Sequence, residues 1–141
     1  MDHLERAIVW RNLLTGGTEY FELRQKRDYH LLRGKVVSIQ EPAQPLFVSY
    51  EIVCDKEWRT HEAQILQVNA GEQCELNVKV TGVDWSINGK LRPDLHGLLD
   101  IDLSITPSTN TLPLRRLNLQ GGQSQPVTAA WIRFPSLELA P

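Results

Sequence analysis

The chain reads as all-β with at most one helix: a strongly curved antiparallel sheet, or open β-barrel, formed by one domain over residues 1–141. Three observations predict this. Apolar and polar residues alternate with a period of two in several runs, which places one set on a core face. Turn residues recur every 8–12 positions, the spacing of sandwiches and barrels. No stretch holds a helical period over about twelve residues.

The elements follow in order. Ala7–Leu14 is a β-rich run broken by Gly16-Gly17, and Thr18–Arg24 resumes with Tyr20 and Phe21. Tyr29–Ile39 follows, with Gly34 as a bulge or a point of close approach. The prolines of Gln40-Glu41-Pro42-Ala43-Gln44-Pro45 mark a turn. In Phe47–Cys54, the residues Val48, Tyr50, Ile52 and Cys54 share the core face. Asp55-Lys56-Glu57 turns the chain into Trp58–Val68, a strand with one wet face. Asn69–Glu72 turns it again into Gln73–Val80, where Cys74, Leu76, Val78 and Val80 are expected to face inward. Asn88-Gly89 supplies the two positive φ angles of a type I′ hairpin within Asp84–Arg92. Pro93 ends that hairpin or sets it at an edge.

Asp94–Leu119 is the most patterned stretch, and reads as two strands joined by the polar turn Thr106–Thr111. Beyond the Gln120–Gln125 loop, Val127–Phe134 is a further strand that Pro135 breaks, and Leu137–Leu139 is a stub. The total is ten or eleven short strands.

Composition limits the function. Net charge is −2, and basic residues are interleaved with acids, so the electrostatic footprint of a nucleic-acid binder is missing. Arg24, Lys26 and Arg27 form a short cluster that fits a solvated turn. The first residues, with Asp2, Glu5 and Arg6, match neither a signal peptide nor a membrane span. Two cysteines, Cys54 and Cys74, imply no disulfide framework, although a bridge between them depends on geometry. A cytoplasmic protein is expected. The four histidines show no ligand spacing, and no P-loop, G-x-G-x-x-G or G-x-S-x-G occurs, so neither metal nor cofactor is expected.

The candidate site residues lie mostly in the patterned stretch. Asp100 and Asp102 sit two apart on a strand, about 6.5–7 Å between Cα atoms, with Leu99, Ile101, Leu103 and Ile105 on the other face. That separation suits a glycoside acid–base pair or part of a hard-cation site. It also suits the wet face of a half-buried strand. Arg115 or Arg116, across the turn, would pair with one of these acids and make it structural, or would clamp an anionic group. The hydroxyls of Thr106–Thr111 cap their own backbone, and a sugar-binding edge would use the same groups. Of the four tryptophans, core filling is expected for at least two; tryptophan also stacks on sugars.

Three runs together carry a family resemblance: Y-E-I-V-C-D-K-E-W-R-T at 50–60, V-D-W-S-I-N-G-K-L at 83–91 and D-I-D-L-S-I-T-P-S-T-N-T-L-P-L-R-R-L at 100–117. From Trp10 to Pro135 the chain resembles the bacterial family named putative glycolipid-binding, long called a domain of unknown function. Its most specific segment is T-P-x-T-N-T-L-P-x-R-R. The resemblance implies a curved sheet similar to the half-barrels of lipoprotein carriers, with a hollow for acyl chains. It also implies further strands after the W-x-x-F-P segment matched by Trp131–Pro135, which this chain would lack.

The leading expectation is therefore a binding protein for a small amphipathic ligand, a lipid or glycolipid. Its acyl chains would lie in the hollow. The headgroup would sit among Asp100, Asp102, Asn110, Arg115 and Arg116, flanked by Trp58 and Trp85. The alternative is an enzyme acting on a sugar or lipid conjugate through Asp100 and Asp102. A third class is an interaction protein whose unpaired strand edge takes another chain, such as a second copy in a homodimer.

Overall fold

A computed structural model describes residues 2–40 and 43–141. Eight strands run as an antiparallel meander, each paired with its sequence neighbour: β1 (Asp2–Arg11), β2 (Thr18–Lys26), β3 (Tyr29–Gln40), β4 (Gln44–Cys54), β5 (Thr60–Asn69), β6 (Glu72–Thr81), β7 (Asp84–Ile87) and β8 (Lys90–Leu91). The edges, β1 and β8, do not pair with each other, so the sheet is open rather than a closed barrel. Glu41 and Pro42 of the expected Gln40–Pro45 turn lie outside the described residues.

The alternation in β4 has the predicted phase. Leu46, Val48, Tyr50, Ile52 and Cys54 are buried, and the residues between them are half-exposed. The Asn88-Gly89 hairpin also forms as expected, with φ of 49° and 82°. Gly34 is a point of close approach rather than a bulge. The β2–β3 register runs through it without a shift, and a Cβ there would collide with the Glu19 carboxyl group and the Tyr50 ring.

The concave face is filled by the chain's own C-terminal third. After a 3-10 turn at Pro93–Leu95 come β9 (Ile101–Leu103), a 3-10 turn at Ser108–Asn110, the helix α1 (Thr111–Leu117), β10 (Ala130–Ile132) and β11 (Leu139–Ala140). Leu95, Ile101, Leu103, Leu112, Ala130 and Ile132 are almost wholly buried, in one cluster with the inward residues of β2–β7. The sheet's hollow is thus largely solid.

Several expectations are corrected here. The second strand of the Asp94–Leu119 hairpin is α1. Pro113 is tolerated in it because first-turn N–H groups have no partner within a helix, and Asn118 ends it at φ 48°. β9 therefore pairs with β10, in parallel, and β10 pairs antiparallel with β11. Parallel pairing needs a crossover, and residues 104–129 provide it. The strand expected over Val127–Phe134 shrinks to three residues, and the first strand begins at Asp2 and ends at Arg11. Cys74 keeps its inward phase but lies beyond the filled region and is exposed. Cys54 is buried, and both thiols are free.

Candidate functional site

None of the sequence-predicted residues lines the cavity at the β1–β3 end of the sheet. Asp100 is buried against α1, where Arg116 donates from Nη2 to Oδ2 at 2.6 Å and from Nε to Oδ1 at 3.4 Å. Leu112 and Arg116 are one helical turn apart, so the helix buries its leucine and presents its arginine from the same face. Asp102 accepts a hydrogen bond from Thr109 Oγ1 at 2.8 Å. Both carboxylates are engaged, which counts against an acid–base pair. The arginine arrives from a helix, not from the facing strand the sequence suggested. Asn110 is exposed at the start of α1.

Trp58, at φ 65°, lies in the turn before β5. Its ring stacks on His30 (centroids 3.6 Å apart, planes 8° apart), and the Arg115 guanidinium lies 5.3 Å from its centroid. Burial lowers the His30 pKa from its ordinary value, and its Nδ1 has no partner among the described residues. Trp85 is fully buried and donates from Nε1 to the Leu98 carbonyl, so it belongs to the core and not to a rim. The two cysteines stand in different environments, and burial pushes the Cys54 thiol far up.

The cavity lies at the other end of the sheet. β3 runs from His30 to Val36 and Ser38, a span of roughly 20 Å or more at about 3.3 Å per residue. There the ends of β1, β2 and β3 and the segment Ser104–Pro107 enclose about 480 Å³. Trp10, Ile105 and Phe134 give it apolar surface, and Glu19, Ser38 and Thr106 give it polar groups.

Glu19 is the residue that sequence reasoning missed. It occupies an inward position of β2 with Phe21 and Leu23, and is 3% exposed. Tyr50 Oη donates to its Oε2 and Thr106 Oγ1 to its Oε1, both at 2.5 Å. Ser108 Oγ lies 2.5 Å from Tyr50 Oη and 3.0 Å from Thr106 Oγ1, closing a ring of hydroxyls around the carboxyl group. Burial raises the Glu19 pKa above its ordinary value, against the lowering effect of the two hydrogen bonds. Burial and the Glu19 charge together push the Tyr50 phenol far up, so it remains a neutral donor. A signal was present in T-E-Y-F-E-L: period two puts Glu19 in the core phase, where a charged residue needs a reason.

Among the described residues, no group of three or more His, Cys, Asp or Glu side chains is placed to hold a metal ion. No helix among them is long and apolar enough to cross a membrane.

Residues 7–141 match the family described as Putative glycolipid-binding, and the chain belongs to that family. Among solved structures, a DUF1089 family protein from Pseudomonas aeruginosa is similar to it. The two share 28% sequence identity with a TM-score of 0.76, over 93% of this chain and 70% of that one. A search of curated proteins finds no match.

Proposed function

We propose that this chain is a binding protein for a small amphipathic ligand of the glycolipid kind, held in the cavity between the β1–β3 end of the sheet and Ser104–Pro107. The observation that carries this reading is the cavity itself. Its volume of about 480 Å³ lies within the range of roughly 300–1,000 Å³ for pockets that enclose small organic ligands, as do two clefts of about 420 and 580 Å³ on the sheet. Of the three it alone carries a tryptophan, and its lining combines the apolar Trp10, Val36, Ile105 and Phe134 with polar groups such as Glu19 and Thr106, which serve affinity and orientation. The family's description supports the ligand class. The engagement of Asp100 with Arg116 and of Asp102 with Thr109 favours binding over catalysis by those acids.

The test is native mass spectrometry of protein purified without delipidation. A lipid-sized adduct of fixed mass is expected on the wild type. It should be lost in Thr15→Trp, which places an indole in the mouth of the cavity. A bare wild-type mass, or an adduct that survives Thr15→Trp, refutes the reading.

A further inference from the structure

We propose that the cavity takes its ligand headgroup first: a sugar ring sits on the Glu19 carboxyl group at the floor, and the alkyl chain leaves through the mouth. This rests on the binding function proposed above and reverses the orientation the half-barrel shape suggests.

Three observations carry it. The interior that would have housed acyl chains is occupied by the protein itself, through Leu95, Ile101, Leu103, Leu112, Ala130 and Ile132. The remaining cavity is polar at its floor. Its buried side chains are Glu19, Val36, Ser38 and Thr106, three of them polar. Its exposed lining mixes the apolar Trp10 with the polar Arg11, Asn12, Thr15 and Thr18. Next to the rim residues Asn12 and Thr15, the turn presents Leu13 and Leu14 at 90% and 97% exposure. A tail-first ligand would put hydrocarbon on a buried carboxyl group, whereas a headgroup-first ligand matches polar to polar there and lets its chain leave past Trp10, Leu13 and Leu14.

The third observation is the valence of Glu19. A carboxylate offers about four lone-pair positions. Tyr50 and Thr106 take one on each oxygen, and the described residues contain no ion pair to Glu19. Two acceptor positions are then left without a partner among the described residues, a number that fits two neighbouring hydroxyls of a sugar. Trp10 lies directly across the β1–β2 pair from Glu19, and an indole there can cover one face of the ring.

The experiment uses monomeric octyl β-glucoside, galactoside and mannoside, with the matching methyl glycosides, decanoate and decylamine as comparison probes. Saturation-transfer NMR on the wild type is expected to show stronger transfer to ring protons than to the terminal methyl of the best octyl glycoside. Its methyl glycoside should bind at the same place more weakly; equal affinity would mean a free-saccharide site and overturn the role of the mouth. Glu19→Gln should weaken the octyl glycoside about ten- to a hundredfold, the equivalent of one hydrogen bond to a charged group. Decanoate should not displace it. Transfer strongest at the terminal methyl, or displacement by decanoate with no effect of Glu19→Gln, overturns the orientation and leaves the binding function standing. Tighter binding of decylamine than of any glycoside assigns the carboxyl to an ammonium group and overturns the sugar assignment. If neither glycosides nor decanoate nor decylamine binds the wild type, the binding function falls as well.

Discussion

Removing Arg116 should destabilise the fold more than removing its partner Asp100. The Asp100 side chain is 3% exposed, and its only side-chain partner among the described residues is the guanidinium at 2.6 and 3.4 Å. Arg116→Met would leave a carboxylate that water cannot reach, and breaking a buried pair in this way costs ~3–5 kcal/mol. The reverse change is milder. Arg116 lies in the last turn of α1 and its side chain is 18% exposed, so it can turn towards solvent after Asp100→Asn. The asparagine also keeps one acceptor, and the loss should be about 1.5–3 kcal/mol, that of one charge-assisted hydrogen bond. Urea unfolding of both single variants and the double variant, followed by far-UV circular dichroism, measures the three values. The double variant retains no unpaired buried charge, so its cost should fall below the sum of the singles by roughly 1–3 kcal/mol. Equal single costs, a larger cost for Asp100→Asn, or simple additivity would refute the account of Asp100 as a structural ion-pair partner.

Gly34→Ala should destabilise by about 1–3 kcal/mol in thermal or urea unfolding, because the new Cβ overlaps the Glu19 carboxyl group and the Tyr50 ring. An unchanged midpoint would mean that neither group is held there. The raised pKa of Glu19 predicts a pH signature. The unfolded chain ionises near the ordinary value of 4.5 and the native chain only at higher pH. The contribution of Glu19 to stability therefore falls as pH rises from about 4.5 through the native value, then levels off. Tyr50 stays neutral across this window. The difference between wild type and Glu19→Gln, measured by urea unfolding from pH 3 to 8, isolates this fall; a difference that is flat or rises with pH contradicts it. Under native conditions, a thiol reagent should titrate one cysteine quickly, the exposed Cys74, and reach Cys54 only in denaturant. Two fast thiols would contradict the burial of Cys54.

Strand content was legible wherever a strand's two faces meet different media. In β4 the period of two shows because one side meets the core and the other meets solvent. The β7–β8 turn was legible because Asn88-Gly89 meets a backbone requirement that few residue pairs meet. The helix was not legible: Thr111–Leu117 spans about two turns, too few for a 3.6-residue period to separate from alternation, and Pro113 argued against it. The parallel pairing of β9 with β10 was hidden for a related reason. Partners roughly thirty residues apart, joined through a helix, leave no local mark. At the site, the acids that drew notice were the ones the fold neutralises. Glu19 sits in the same alternation that identified the strands, but only as one residue in the phase where an apolar one is usual.

Local chemistry alone determined that this chain is built mainly of short antiparallel strands, where the Asn88-Gly89 hairpin falls, and which face of β4 is buried. The period of side-chain direction and the φ preferences of turn residues act over two to four positions, and a sequence displays them directly. Only the tertiary structure decided that the C-terminal third folds back to fill the sheet, that Arg116 comes to Asp100 from a helix, and that Glu19, Tyr50, Thr106 and Ser108 meet at the floor of one cavity. Glu19 and Thr106 are 87 residues apart. Their meeting depends on how far the sheet curves and on what fills it, which is a property of the packed whole and of no short segment.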